Sequence, residues 1–168
     1  KIFFTGDINL SSQTLLAGAE LPSEKIDILI TETTYGYTES SGLNHWENEV
    51  ERFSSSINKV INNGGSVLIP VFALGKLQEI LATIWLQMQR NKITSVDIYT
   101  GGIGNKINRI YDYNRYVVKR NEKELMLYEI PQKSLNELKD YDDLFKSPSI
   151  VLASSGMMIK GTASYKFA

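Results

Sequence analysis

The chain has 168 residues, a formal net charge of −1, 42% hydrophobic and 22% charged residues, and no cysteine. That length suits one domain, or one domain with a piece of another, and allows a core that does not depend on cross-links. The missing cysteine excludes disulfides, thiolate zinc sites and cysteine nucleophiles and fits a reducing, cytoplasmic compartment, while no apolar run approaches the ~18–20 residues of a membrane-spanning helix.

In chain order, Ile2–Thr5 and Ile26–Thr31 read as buried strands, rich in Ile and Phe and closed by polar residues. The opening KIFFTGD lacks the basic region and cleavage site of a signal peptide, and a first residue other than Met is expected of a fragment. Glu47–Asn62 has helical spacing at Val50, Phe53, Ile57, Val60 and Ile61, with Gly64-Gly65 as its stop. Ser66–Pro70 is an apolar strand. Gly75–Gln89 is a helix with Leu77, Ile80, Leu81, Ile84, Trp85 and Met88 on one face. Ser95–Thr100 is a strand, Gly101–Gly104 a glycine-rich turn, Asn105–Tyr113 a helix and Leu135–Phe145 a weaker one. Ser149–Ala153 is a last buried strand running into SSGMM. Strands alternating with helices predict an α/β fold, a parallel sheet with helices on both faces.

In such sheets ligands bind beyond the carboxyl ends of the strands. Five predicted strands end in small, polar or charged residues: Thr5-Gly6-Asp7, Thr31-Glu32, Ala73-Leu74-Gly75-Lys76, Thr100-Gly101-Gly102 and Ser154-Ser155-Gly156. On one sheet these loops would converge on one edge. Asp7 is there either a hard metal ligand or a turn residue. Glu32 either serves chemistry or bonds to its own TTYG turn. Gly75 and Lys76 at a helix start suit a phosphate, as does a backbone nest at Ser154, Ser155 and Gly156. Met157 and Met158 read as packing.

Charge is uneven. Residues 1–60 hold nine acids and four bases, a balance of −5. Residues 101–120 hold Lys106, Arg109, Arg115, Lys119 and Arg120 against Asp112, a balance of +4, with Tyr111, Tyr113 and Tyr116 interleaved. Such a mixture suits phosphate contact with base stacking; a solvated helix face is the alternative. His45 is the only histidine, so with no cysteine the chain is not expected to complete a catalytic zinc site. No GxxxxGK[ST] loop, dinucleotide fingerprint or Gly-x-Ser-x-Gly elbow is present.

FTGD, TETTYG, LIPVFALGKLQEIL and LASSGMMIKGTAS, in that order, resemble the β-CASP branch of the metallo-β-lactamase superfamily, which includes RNase J, the polyadenylation-cleavage endonuclease and Artemis-type nucleases. The resemblance implies a Rossmann-like β-CASP domain over residues 38–168, incomplete at its end, preceded at 1–37 by a strand-containing remnant of a lactamase-type αββα domain. It implies a zinc-dependent ribonuclease with two zinc ions in the parent, a fragment inactive by itself, and Asp7 as the bridging metal ligand. Glu32 would support the metal site as the acidic residue of the first β-CASP motif. Gly75 and Lys76 match the family's usual Gly-Arg, with the forked guanidinium lost. Lys106, Arg109 and Arg115 would contact RNA, single-stranded rather than duplex. The partners implied are RNA, the remainder of the lactamase-type domain and a candidate homodimer, with no membrane. The rival readings are a catalytically dead β-CASP scaffold of an RNA-processing complex and an α/β domain binding a small phosphorylated ligand.

Overall fold

The computed structural model describes residues 1–39, 45–138 and 146–168, together with Asp140, Asp142 and Leu144. Its elements are β1 (Ile2–Phe4), β2 (Ile28–Ile30), α1 (Trp46–Ile61), β3 (Val67–Pro70), α2 (Lys76–Gln89), β4 (Asp97–Thr100), α3 (Gly102–Tyr113), β5 (Lys133–Ser134), β6 (Ser149–Ala153) and α4 (Ala163–Lys166). The strands form two parallel sheets rather than one. One is the pair β1-β2; the other has the order β3-β6-β4-β5.

The larger sheet is built around β6, whose five residues are all buried. Alternation divides its strands between two cores. Ile98, Ile150 and Leu152 join Leu77, Leu81, Ile84, Met88 and Leu15 on one face, with Val67 and Ile69 packed against them. Tyr99, Val151 and Ala153 join Leu135 and Leu144 on the other, with Leu68 and Phe167 alongside. Both faces are covered, as apolar parallel strands require.

Local chemistry accounts for the helix limits. Glu47 and Glu49 lie in the first turn of α1 and Lys59 in its last, each favourable to the helix dipole. Beyond α1 the Gly64 amide donates to Ile61 O and the Gly65 amide to Val60 O, with Gly64 at φ +81°. That closure needs the left-handed region glycine supplies. The glycine-rich stretch after β4 is not a turn, because α3 already starts at Gly102. Gly104 lies where a Cβ would stand 2.6 Å from Leu77 Cδ1, so this glycine serves close packing of α3 on α2.

Two further expectations are corrected. β1 and β2 are not buried: Ile2, Phe4, Leu29 and Ile28 are 68%, 70%, 59% and 52% exposed, because no second layer among the described residues lies on this pair. Of the helix expected at Leu135–Phe145, the structure has a 3-10 turn at Leu135–Glu137; Lys139, Tyr141, Asp143 and Phe145 lie outside the described residues. Among the described residues no helix is long and apolar enough to cross a membrane.

Candidate functional site

The candidate residues fall at the carboxyl ends of both sheets. At the smaller one, Phe4 pairs with Ile30 and the Thr5 amide donates to Ile30 O at 3.0 Å, so the two chains leave side by side. Gly6, at φ +59°, turns the first chain and places Asp7 in solvent. Glu32 is half-buried on the second chain and accepts from the Ile8 amide (3.2 Å) and the Thr34 amide (3.0 Å). Hydrogen bonds from the Thr34 side chain, the Thr34 amide and the Ile8 amide hold its carboxyl below the usual carboxylate range. The bonding to its own turn therefore exists, and the same carboxylate pins the residue after Asp7.

At the larger sheet Pro70 pairs with Ala153, which brings the loops after β3 and β6 together. A Cβ on Gly156 would stand 3.1 Å from the Phe72 amide nitrogen and 3.2 Å from its ring, so Gly156 is the point of contact between the loops. Ser154 and Ser155 are half-buried, and Ser164 ties them down: its amide donates to Ser154 O and its hydroxyl to Ser155 O. Gly75 adopts φ +83° and its amide donates to Gln78 Oε1 at 2.8 Å, while Lys76 is exposed at the start of α2. Met157 is 69% and Met158 37% exposed, so neither is core packing in this chain.

The basic cluster of residues 101–120 does not form one face. Arg120 is buried against Asp112 (3.5 Å) and donates to Leu125 O. Burial pushes its guanidinium down while Asp112 pulls it up. Arg115 is half-buried, donates to Asp112 O and lies 4.5 Å from the Tyr116 ring centre. Lys119 pairs with Glu20. Lys106 and Arg109 remain exposed on α3, with Arg109 donating to the Tyr128 hydroxyl at 2.7 Å. Charge pattern alone could not separate them, because Arg120 is matched by Asp112 eight residues earlier.

Sequence reasoning missed a buried polar set on α2 and α3. Gln78, Glu79 and Asn108 are 0%, 2% and 0% exposed. Gln78 donates to Asn108 Oδ1 at 2.9 Å, and Glu79 accepts from the Leu15 and Leu16 amides. Burial first, and then the charge of Glu79, push the Tyr111 phenol up. The available signal was Gln-Glu set between the core positions Leu77 and Ile80.

Among the described residues, no three His, Asp or Glu side chains gather as a group that could hold a metal. His45 is exposed at the start of α1. The residues present do not by themselves fit a zinc centre, which needs about three protein ligands.

Parallel strands with helical crossovers and polar strand ends define an α/β protein of the kind that binds ligands at the carboxyl edge of its sheet. No family model matches the chain. Curated proteins do. It is 35% identical over 165 residues to the RNase J-like protein of Methanocaldococcus jannaschii, covering 96% of this chain and 38% of that protein. It is 35% identical over 170 residues to endoribonuclease ysh1 of Schizosaccharomyces pombe, covering 97% and 22%. It is 31% identical over 178 residues to the cleavage and polyadenylation specificity factor subunit 3 of Dictyostelium discoideum, covering 99% and 22%. These relatives are ribonucleases and cleavage factors of the β-CASP metallo-β-lactamase branch, and the chain matches one segment of them, spanning from about a fifth to two-fifths of their length.

Proposed function

We propose that this chain is part of a metal-dependent ribonuclease that hydrolyses RNA phosphodiester bonds, with zinc as the metal. The observation that carries the reading is the match along at least 96% of the chain to proteins named as ribonucleases. The strand-end carboxylates Asp7 and Glu32, joined through the Ile8 amide, support it.

Residues 1–37 are read as the end of a lactamase-type domain and 38–168 as the β-CASP domain. The exposed apolar faces of β1 and β2 suit cover by further strands and helices of that first domain. Two zinc ions go with the reading, but this chain offers Asp7 as a single metal-directed carboxylate, so the metal chemistry lies with residues outside it. Its own residues bind substrate. Lys76 and the Ser154–Gly156 loop follow β3 and β6 at the carboxyl end of the larger sheet, where a phosphodiester backbone can lie, and Lys106 and Arg109 supply exposed cations. Single-stranded RNA is the substrate we assign, in a reducing compartment that suits a chain without cysteine.

The test is cleavage of end-labelled RNA and matched DNA by the full-length protein with zinc, beside Asp7→Ala. Zinc-dependent RNA cuts that disappear in the variant are the expected result. A folded, zinc-loaded protein that cuts neither substrate would overturn the nuclease reading and favour a scaffold in an RNA-processing complex.

A further inference from the structure

Residues 9–19 form a closed loop directly after Asp7. The Ala19 amide donates to Asn9 O (2.8 Å) across its base, and the Gln13 amide to Leu16 O (2.9 Å) across its tip. Gly18 lies so close to the opposite strand of the loop that a Cβ there would stand 2.2 Å from Leu10 O. The tip is driven into the larger core, where Leu15 is fully buried beside Leu77 and Leu81.

The carboxylate of Glu79 holds that tip. It accepts from the Leu15 amide at 2.9 Å through Oε1 and from the Leu16 amide at 3.3 Å through Oε2. Thr83, one turn along α2, donates to the Thr14 hydroxyl at 2.9 Å. The two main-chain donors fall on separate oxygens of the carboxylate, and a glutamine would set an NH2 donor against one of them. Gln78, the neighbouring residue, receives the Gly75 amide and so fixes the turn that presents Lys76. One dipeptide thus anchors both the loop that follows Asp7 and the loop that precedes Lys76.

We propose that Glu79 is a positioning residue that, through the 9–19 loop, sets where Asp7 stands relative to α2 and Lys76. For its catalytic consequence the proposal rests on the ribonuclease reading above; its structural part does not.

The test uses the full-length protein with two variants, Glu79→Gln and the milder Thr83→Val. Amide hydrogen exchange is read at Ile8, whose N–H is held by Glu32, with the β6 amides as a reference for global opening. Glu79→Gln is expected to speed exchange at Ile8 while leaving β6 unchanged, and Thr83→Val to act the same way more weakly. With RNA as substrate, Glu79→Gln is expected to lower kcat by roughly 10- to 100-fold with KM little changed, the cost of a misplaced catalytic group. A merely structural role would lower Tm and leave kcat of the folded fraction intact, which overturns the catalytic part. Ile8 exchange unchanged in both variants overturns the whole proposal, whether or not RNA is cut. If the wild type cuts no RNA but Ile8 responds, the positioning role stands and the ribonuclease reading falls. If Glu79→Gln loosens β6 as well, Thr83→Val decides: faster exchange at Ile8 with β6 unchanged supports the proposal, and no change refutes it.

Discussion

The two sheets of this chain share one strand vocabulary and meet different fates. Ile-Phe-Phe and Ile-Leu-Ile in β1 and β2 are as apolar as Val-Leu-Ile-Pro and Ser-Ile-Val-Leu-Ala in β3 and β6. Yet Ile150 and Leu152 are fully buried, whereas Phe4 is 70% and Leu29 59% exposed. The difference is cover: the four-stranded sheet carries a core on each face, and among the described residues the pair carries none. Two strands alone do not bury enough surface to stand by themselves. An apolar run therefore announces a strand, and its neighbours decide whether it is core.

Ion pairs give the sharpest way to break this contrast. Removing Asp112 leaves the Arg120 guanidinium buried without its partner and strips the Leu127 and Tyr128 amides of their acceptor. Asp112→Ala is expected to cost about 3–5 kcal/mol in urea unfolding. Glu24→Ala, which removes the exposed pair of Lys1 beside the smaller sheet, is expected to stay within about 0.5 kcal/mol. Equal losses would mean that the two regions are not energetically distinct. Next in size, Leu152→Ala should cost about 2–5 kcal/mol and Leu29→Ala under about 1 kcal/mol. A Leu29→Ala loss matching that of Leu152→Ala would show that the smaller sheet is covered in solution.

The same contrast explains how much could be read beforehand. Ser149–Ala153 matches β6 residue for residue, and α1 and α2 begin within one residue of expectation, since strand cores and amphipathic helices write their own pattern. Gly102 and Gly104 misled because glycine signals a turn unless packing demands it, as Leu77 does here. The two-residue β5 carries too short a pattern to be recognised. That Asp7 and Glu32 each follow a strand was legible, because each closes an apolar run; that their two strands pair with each other, apart from the larger sheet, was not. The clasp of Glu79 on Leu15 spans 64 positions and leaves no periodic trace, so only the folded chain reveals it.

The smallest effect tests whether the loops after β1 and β2 are joined in solution. Thr34 and Ile8 hold the Glu32 carboxyl below its ordinary range, so the folded chain binds that proton less readily than the unfolded one. Stability from this source is present above the unfolded pKa and is lost as pH falls through the folded one. Glu32→Gln removes the titrating group, so the midpoint of urea unfolding should decline less steeply on acidification than in the wild type. The carboxylate is only half-buried, which keeps the difference small. Parallel acid limbs for the two proteins would mean that the Thr34 and Ile8 contacts do not persist in solution. The smaller sheet would then lack a fixed carboxyl end as well as cover. Diverging limbs would show that Ile8, the residue after Asp7, is already held in place before any metal or substrate arrives.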